Sequence, residues 1–155
     1  MSEIIIRAAT IADIPVLLRQ RRMMWWDMSR RDEMALNLME TAAREYFGTA
    51  VADGSYRGFL ATDDAGEVIG GGGVVISPWP GILGQHQPRR AMILNVYVEP
   101  EQRRRGVART LLKAMIAWCR GNGFANVGLH ASDEGRGQYE QLGFTPTNEM
   151  RLTLR

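Results

Sequence analysis

Residues 99–115, EPEQRRRGVARTLLKAM, set three arginines and a glycine where an amphipathic helix is expected to begin. The positive end of a helix dipole favours Asp or Glu in the first turn, so Arg103, Arg104 and Arg105 are out of place there unless an anion joins them. Gly106 permits a positive φ or the close approach of a ligand, and Ala108 keeps the next turn narrow. The first-turn N–H groups lack intrahelical acceptors and point outward together. A diphosphate satisfies these donors at once, with the arginines offsetting its charge. The other glycine cluster, Gly70–Gly73, lacks the spacing and the following helix of a phosphate loop; it reads as a bulge or a close backbone approach within a strand.

The elements that position this motif follow from hydrophobic periodicity. Residues 3–9 read as a strand ended by Thr10, an N-cap candidate, and the next helix carries Ile14, Leu17 and Leu18 with Pro15 in its first turn. A second helix is expected within 31–47, with Ala35, Leu38, Met39, Ala42, Ala43 and Tyr46 as its core stripe. Residues 56–62 and 67–77 form a hairpin around DDAGE. The stretch 78–90 is a loop long enough to overhang a pocket, and 91–98 is a strand closed by Pro100. The motif helix presents Ala108, Leu111, Leu112, Met115, Ile116 and Cys119 on one face and stops at the GNG of 121–123. A strand at 125–131, a short helix at 135–142 and one or two strands within 144–154 complete the chain. The strand–helix–strand unit over 91–131 makes this a mixed α/β chain.

A length of 155 residues fits one domain, residues 1–155, able to bury a core without disulfides or metals. No apolar run approaches the roughly 20 residues of a membrane span, and the N-terminus is not read as a secretory signal. A single cysteine, Cys119, fits a reducing, cytoplasmic setting. The net charge of +2 argues against nucleic acid as a partner, and the Arg103–Arg105 run has no interleaved aromatics.

The segment ILNVYVEPEQRRRGVARTLLKAMIAW resembles motif A of the GNAT superfamily of acyl-CoA-dependent N-acetyltransferases: Arg103, Gly106 and Ala108 meet its consensus of Gln or Arg, two residues, Gly, one residue, Gly or Ala. ASDEGRGQYEQLGF resembles motif B, with Tyr139 before Leu142, Gly143 and Phe144. The resemblance implies an α/β (α+β) GNAT fold, with a mixed sheet of six to seven strands, about four helices, and splayed strands that form a cofactor wedge between 93–98 and 126–131. It implies acetyl-CoA as cofactor, with Asn95, Val96, Tyr97 and Val98 offering main-chain groups to its pantetheine arm and to the acetyl carbonyl. The backbone amides of Arg104, Arg105, Gly106, Val107, Ala108 and Arg109 would take the diphosphate, with side chains supplementing them, and Arg103 of the motif is counted among the cofactor-binding residues.

The implied reaction is acyl transfer from a thioester to the primary amine of a small-molecule or amino-acid-like acceptor. An ammonium of pKa near 10 must lose a proton before attack, and the departing thiolate must gain one. Tyr139 is the candidate general acid. Counting back from Gly106 to the family's strand glutamate lands on Met92, which accepts no proton, so the base is a water chain or another residue; His130 is a candidate relay. Ser132 stands where many relatives place a cofactor-touching asparagine, or it caps the following helix; Arg136 faces the nucleotide or solvent. Trp25, Trp26 and Asn95 are substrate-side candidates, and Asp27 with the tryptophans can hold a cationic amine. No metal site is expected, and relatives often form homodimers. The same wedge would equally serve an acyl-CoA-binding sensor or interaction module with little catalysis.

Overall fold

The computed structural model describes residues 3–154. In chain order it contains β1 (Ile5–Ala8), α1 (Ile14–Asp27), α2 (Glu33–Asp53), β2 (Tyr56–Thr62), β3 (Val68–Pro78), β4 (Arg89–Val98), α3 (Val107–Gly121), β5 (Gly128–Leu129) and α4 (Arg136–Gln141). A turn of 3-10 helix over Ile11–Asp13 leads into α1; there Asp13 accepts from the Thr10 N–H at 2.7 Å, and Pro15 occupies the first turn of α1. Asp32 caps α2 by accepting from the Ala35 N–H at 3.2 Å, and Gly54, at φ +84°, ends it in the left-handed conformation that glycine adopts without penalty.

The sheet runs β1-β2-β3-β4-β5; the first three pairings are antiparallel and β4–β5 is parallel, joined through α3. Each face is covered. Leu111, Leu112, Met115 and Cys119 of α3 pack with Phe59, Ile69, Ala91, Ile93 and Val98 on one side. Leu17 and Leu18 of α1 with Ala43, Phe47 and Ala50 of α2 enclose Tyr56 and Leu60 on the other. The glycine run is the place where these layers come closest. A Cβ on Gly70 would press Val107, on Gly71 Gln20, on Gly72 Met115 and on Gly73 the Tyr56 ring. Close backbone approach, not phosphate binding, accounts for the four glycines.

Three expectations are corrected. Five strands form among the described residues instead of six to seven: residues 144–154 make none, and the strand expected at 125–131 contracts to Gly128–Leu129. Alternation marks a strand only when one face finds cover, and Met150, Leu152 and Leu154 are 94%, 81% and 83% exposed. The helix expected within 31–47 extends to Asp53, and its core stripe is Leu36, Ala43, Phe47 and Ala50. Ala35, Leu38, Ala42 and Tyr46 face outward because α2 is apolar over more than one face and Phe47 supplies the larger side chain for the core.

Candidate active site

β4 and β5 pair only at Met92–Gly128 and Ile93–Leu129. Beyond that point β4 continues to Val98 while the chain after Leu129 leaves the sheet, so the two strands part and open the expected wedge. On its other side β4 is bulged. Gly73 pairs with Leu94 and Gly71 with Tyr97, so Asn95 and Val96 together oppose the single Gly72. Asn95 takes φ +64°, a left-handed value that Asn tolerates better than other non-glycine residues. The extra residue reverses the alternation of the strand. Ala91 and Ile93 face α3 before it and Val96 and Val98 after it, which turns Asn95 and Tyr97 toward α1.

The strand then delivers the chain to α3. Gly106 is the N-cap at φ +80° with no side-chain cap, and Arg104 is also left-handed at φ +63°. The first acceptor in the helix is the Gly106 carbonyl, which takes the Thr110 N–H at 3.0 Å and the Thr110 hydroxyl at 2.8 Å. The N–H groups of Val107, Ala108 and Arg109 therefore have no intrahelical acceptor. A Cβ on Gly106 would meet no atom within 4 Å, so the glycine serves its φ rather than a steric limit, and the space before the helix is open.

The arginines of this turn have different occupations. Arg103 is a brace: its Nε donates to the Val98 carbonyl at 2.8 Å, its Nη2 to Asp27 at 2.6 Å, and its guanidinium lies 5.4 Å from the Tyr97 ring centroid. Asp27, a candidate for holding a cationic amine, is thus joined to Arg103. Arg105 donates to the Gln102 side chain, Arg104 is exposed and Arg109 is half-buried. Val107 is buried and Ala108 half-buried, so both serve the helix seat with side chains while their main chain faces forward.

Across the gap, α4 carries Tyr139, half-buried with its ring 6.0 Å from Phe144; burial raises its phenol above the ordinary value of 10. Ser132 closes the turn before α4, its Oγ accepting from the Gly135 N–H at 3.1 Å and its carbonyl from the Arg136 N–H at 3.0 Å. Arg136 is exposed. His130 is exposed too, with Nε2 3.4 Å from Arg151 Nη2 and 3.9 Å from Glu149, residues of the C-terminal stretch. Trp26 is half-buried beneath Arg31 at 5.0 Å, and Trp25 is half-buried with its indole N–H enclosed and unpartnered.

The sequence left one group unread. Arg21 Nη1 donates to Asn95 Oδ1 at 2.6 Å, and Asn95 Nδ2 donates to the Tyr56 hydroxyl at 3.0 Å. Tyr56 is 2% exposed, and burial pushes its phenol up to about 12, so it stays protonated across the physiological range. Asn95 was a substrate-side candidate from the sequence, but its partners Arg21 and Tyr56 were not; the sequence signal for Tyr56 is Gly73, whose missing side chain makes room for the ring.

Among the described residues no three His, Cys, Asp or Glu side chains gather as a metal site, and no helix is long and apolar enough to cross a membrane. The model of the acetyltransferase (GNAT) family matches residues 20–144. No match is found among curated proteins. Among solved structures, a GCN5-related N-acetyltransferase from Ralstonia eutropha JMP134 shares 31% identity over 98% of this chain and 99% of its own, with a TM-score of 0.89. A predicted acetyltransferase from Clostridium acetobutylicum, solved with acetyl-CoA, aligns at 23% identity over 99% of this chain and 96% of its own, with a TM-score of 0.86. The aminoglycoside N-acetyltransferase AAC(6')-Iy, in complex with CoA, aligns at 22% over 100% and 96%, with a TM-score of 0.72. With parted strands and an uncapped helix start in the fold, the family-model match over residues 20–144 and the 31% identity over 98% of the chain place this chain in the GNAT family of acetyltransferases.

Proposed function

We propose that this protein transfers an acetyl group from acetyl-CoA to the primary amine of a small acceptor. The observation that carries the reading is the alignment of two main-chain features: the uncapped start of α3 and the gap that opens between β4 and β5 after Ile93 and Leu129. The amides of Arg104 to Arg109 hold the diphosphate of the substrate, aided by the helix dipole and the flanking arginines. Arg103 fixes the turn, since its side chain is already engaged with Val98 and Asp27.

From that anchor the pantetheine arm enters the gap, with the main chain of Val96, Tyr97 and Val98 along one wall. The bulge at Asn95 and Val96 takes a main-chain N–H out of the regular ladder and aims it at the oxygen that gains charge as the amine attacks. The amine nitrogen bonds to the acyl carbon and the carbon–sulfur bond breaks. Tyr139 gives its phenolic proton to the leaving sulfur, its raised pKa keeps that proton available at neutral pH, and the proton that the nitrogen sheds as the amide forms returns to the phenolate. The proton lost by the ammonium leaves through water, with His130 at the mouth of the gap as a relay. Ser132 shapes the turn that presents α4, and Arg136 is left to meet the nucleotide.

Free-thiol release with purified protein, acetyl-CoA and a panel of amines tests the reading. Acceptor-dependent release well above hydrolysis is expected, together with heat on titration with coenzyme A. Binding without transfer to any amine would refute catalysis, and no heat with coenzyme A would refute the cofactor site.

A further inference from the structure

Helix α1 carries three arginines in reach of other elements, and they are not equivalent. Arg19 pairs with Glu99, and Arg22 pairs with Glu33 at 2.7 Å and approaches Glu40 at 3.8 Å. Arg21 meets no carboxylate among the described residues. Its neighbours are the Asn95 side chain at 2.6 Å, the Trp25 ring with its centroid 5.9 Å away, and the Tyr56 phenol, which stays protonated. Burial without a compensating anion lowers the pKa of Arg21 from its usual value. Arg21 is half-buried, and a guanidinium partly withdrawn from water is favoured by a partner of opposite charge.

The location of Arg21 says what that partner is. Asn95 is the left-handed bulge residue of β4, in the stretch where β4 has parted from β5. Asn95 Oδ1 takes one Arg21 N–H, and Asn95 Nδ2 is committed to Tyr56, so the amide is held in one orientation and the guanidinium with it. The remaining N–H groups of Arg21 have no acceptor among the described residues. They form a planar fork beside the strand that lines the acyl end of the gap, on the α1 face and away from α3.

We infer that Arg21 is a specificity-determining residue that receives a carboxylate on the acceptor, so the amine acetylated is one that also bears a carboxylate. The assignment rests on the acetyl-transfer reading above and narrows its acceptor. Asn95 and Tyr56 act through Arg21 as positioning residues, and Trp25 supplies an apolar wall beside the carbon skeleton.

The test compares matched acceptors on the wild-type protein: amino acids and dipeptides against their carboxamides, and phosphoethanolamine as a phosphate-bearing amine. Alongside, calorimetry of the coenzyme A-saturated protein uses N-acetylamino acids against their amides, which needs no turnover. The carboxylate is expected to be favoured roughly 10- to 100-fold in kcat/KM or in affinity, the range of one charge-assisted bidentate contact. In Arg21→Gln the ratio is expected to fall toward one, and Arg21→Lys is expected to restore part of it. Equal use of acid and amide by the wild type, a preference for the phosphorylated amine, or an unchanged ratio in Arg21→Gln would overturn the assignment. A coenzyme A titration that gives heat while acid and amide behave alike removes only the Arg21 assignment; absence of that heat removes the acetyl-transfer reading itself.

Discussion

Around Gly106 the groups turned outward are main-chain amides of consecutive residues, whereas beside Asn95 they are side chains of α1, Arg21 and Trp25, with Arg21 held through Asn95 by the buried Tyr56. The first arrangement depends on backbone conformation: left-handed Arg104 and Gly106 followed by the free end of α3. On the proposed reading it should tolerate change in the arginine side chains but not in φ. The second depends on a packed network in which hydrogen bonds link Arg21, Asn95 and Tyr56, so exchanging a single side chain disturbs the others. On that same proposed reading, the carrier is gripped by the backbone, which any sequence possesses, and the acceptor is selected by side chains.

That contrast can be broken at either end. The largest effect is expected at the chemistry between the two regions: Tyr139→Phe should lower kcat by about 100-fold or more while coenzyme A affinity stays within about twofold, the range for removal of a general acid. The wild-type rate should fall as pH rises through the Tyr139 pKa, which burial places above 10, because only the protonated phenol donates; the variant should lack that limb. Unchanged turnover in Tyr139→Phe would remove the assigned role.

Next comes the backbone region. Gly106→Val places a β-branched residue at φ +80° and should weaken coenzyme A binding at least about tenfold by calorimetry, even though its Cβ meets no protein atom. Arg104→Ala, which removes an exposed side chain and keeps the amide, should weaken binding only a few-fold. An equal loss in both would show that side-chain charge dominates and would erase the distinction between the regions.

In the side-chain region, Asn95→Ala leaves the buried Tyr56 hydroxyl without its partner and should cost about 1–3 kcal/mol in urea unfolding. Gly73→Ala, which forces the Tyr56 ring to shift, should cost about as much by overpacking. The smallest effect is expected at the brace: Asp27→Asn opens an ion pair whose side chains are 44% and 35% exposed, worth about 1 kcal/mol or less. Loss of more than about 2 kcal/mol there would mean that the brace holds the turn more tightly than its exposure implies.

The same contrast explains what the sequence disclosed. The turn into α3 at Arg103–Ala108 was legible as a conformation because its parts are adjacent in the chain and it needs only a glycine and a helix start. The strand it follows and the hairpin of 56–62 and 67–77 were legible for the same reason of local periodicity. Arg21, Tyr56 and Asn95 were not read together because contacts between separate elements join them, and the clue, Gly73, says that something fills the space without saying what. Residues 144–154 alternate like a strand, yet alternation cannot report whether a partner edge exists. In α2 two apolar stripes compete, and only the packing of Phe47 against Tyr56 decides between them.

The most direct test of the main-chain grip is a coenzyme A titration of 15N-labelled protein followed amide by amide. The amides of Arg104 to Arg109 and of Asn95 to Val98 are expected to shift together and to saturate with one affinity. Shifts confined to other parts of the chain, with residues 104–109 unmoved at saturation, would contradict the account.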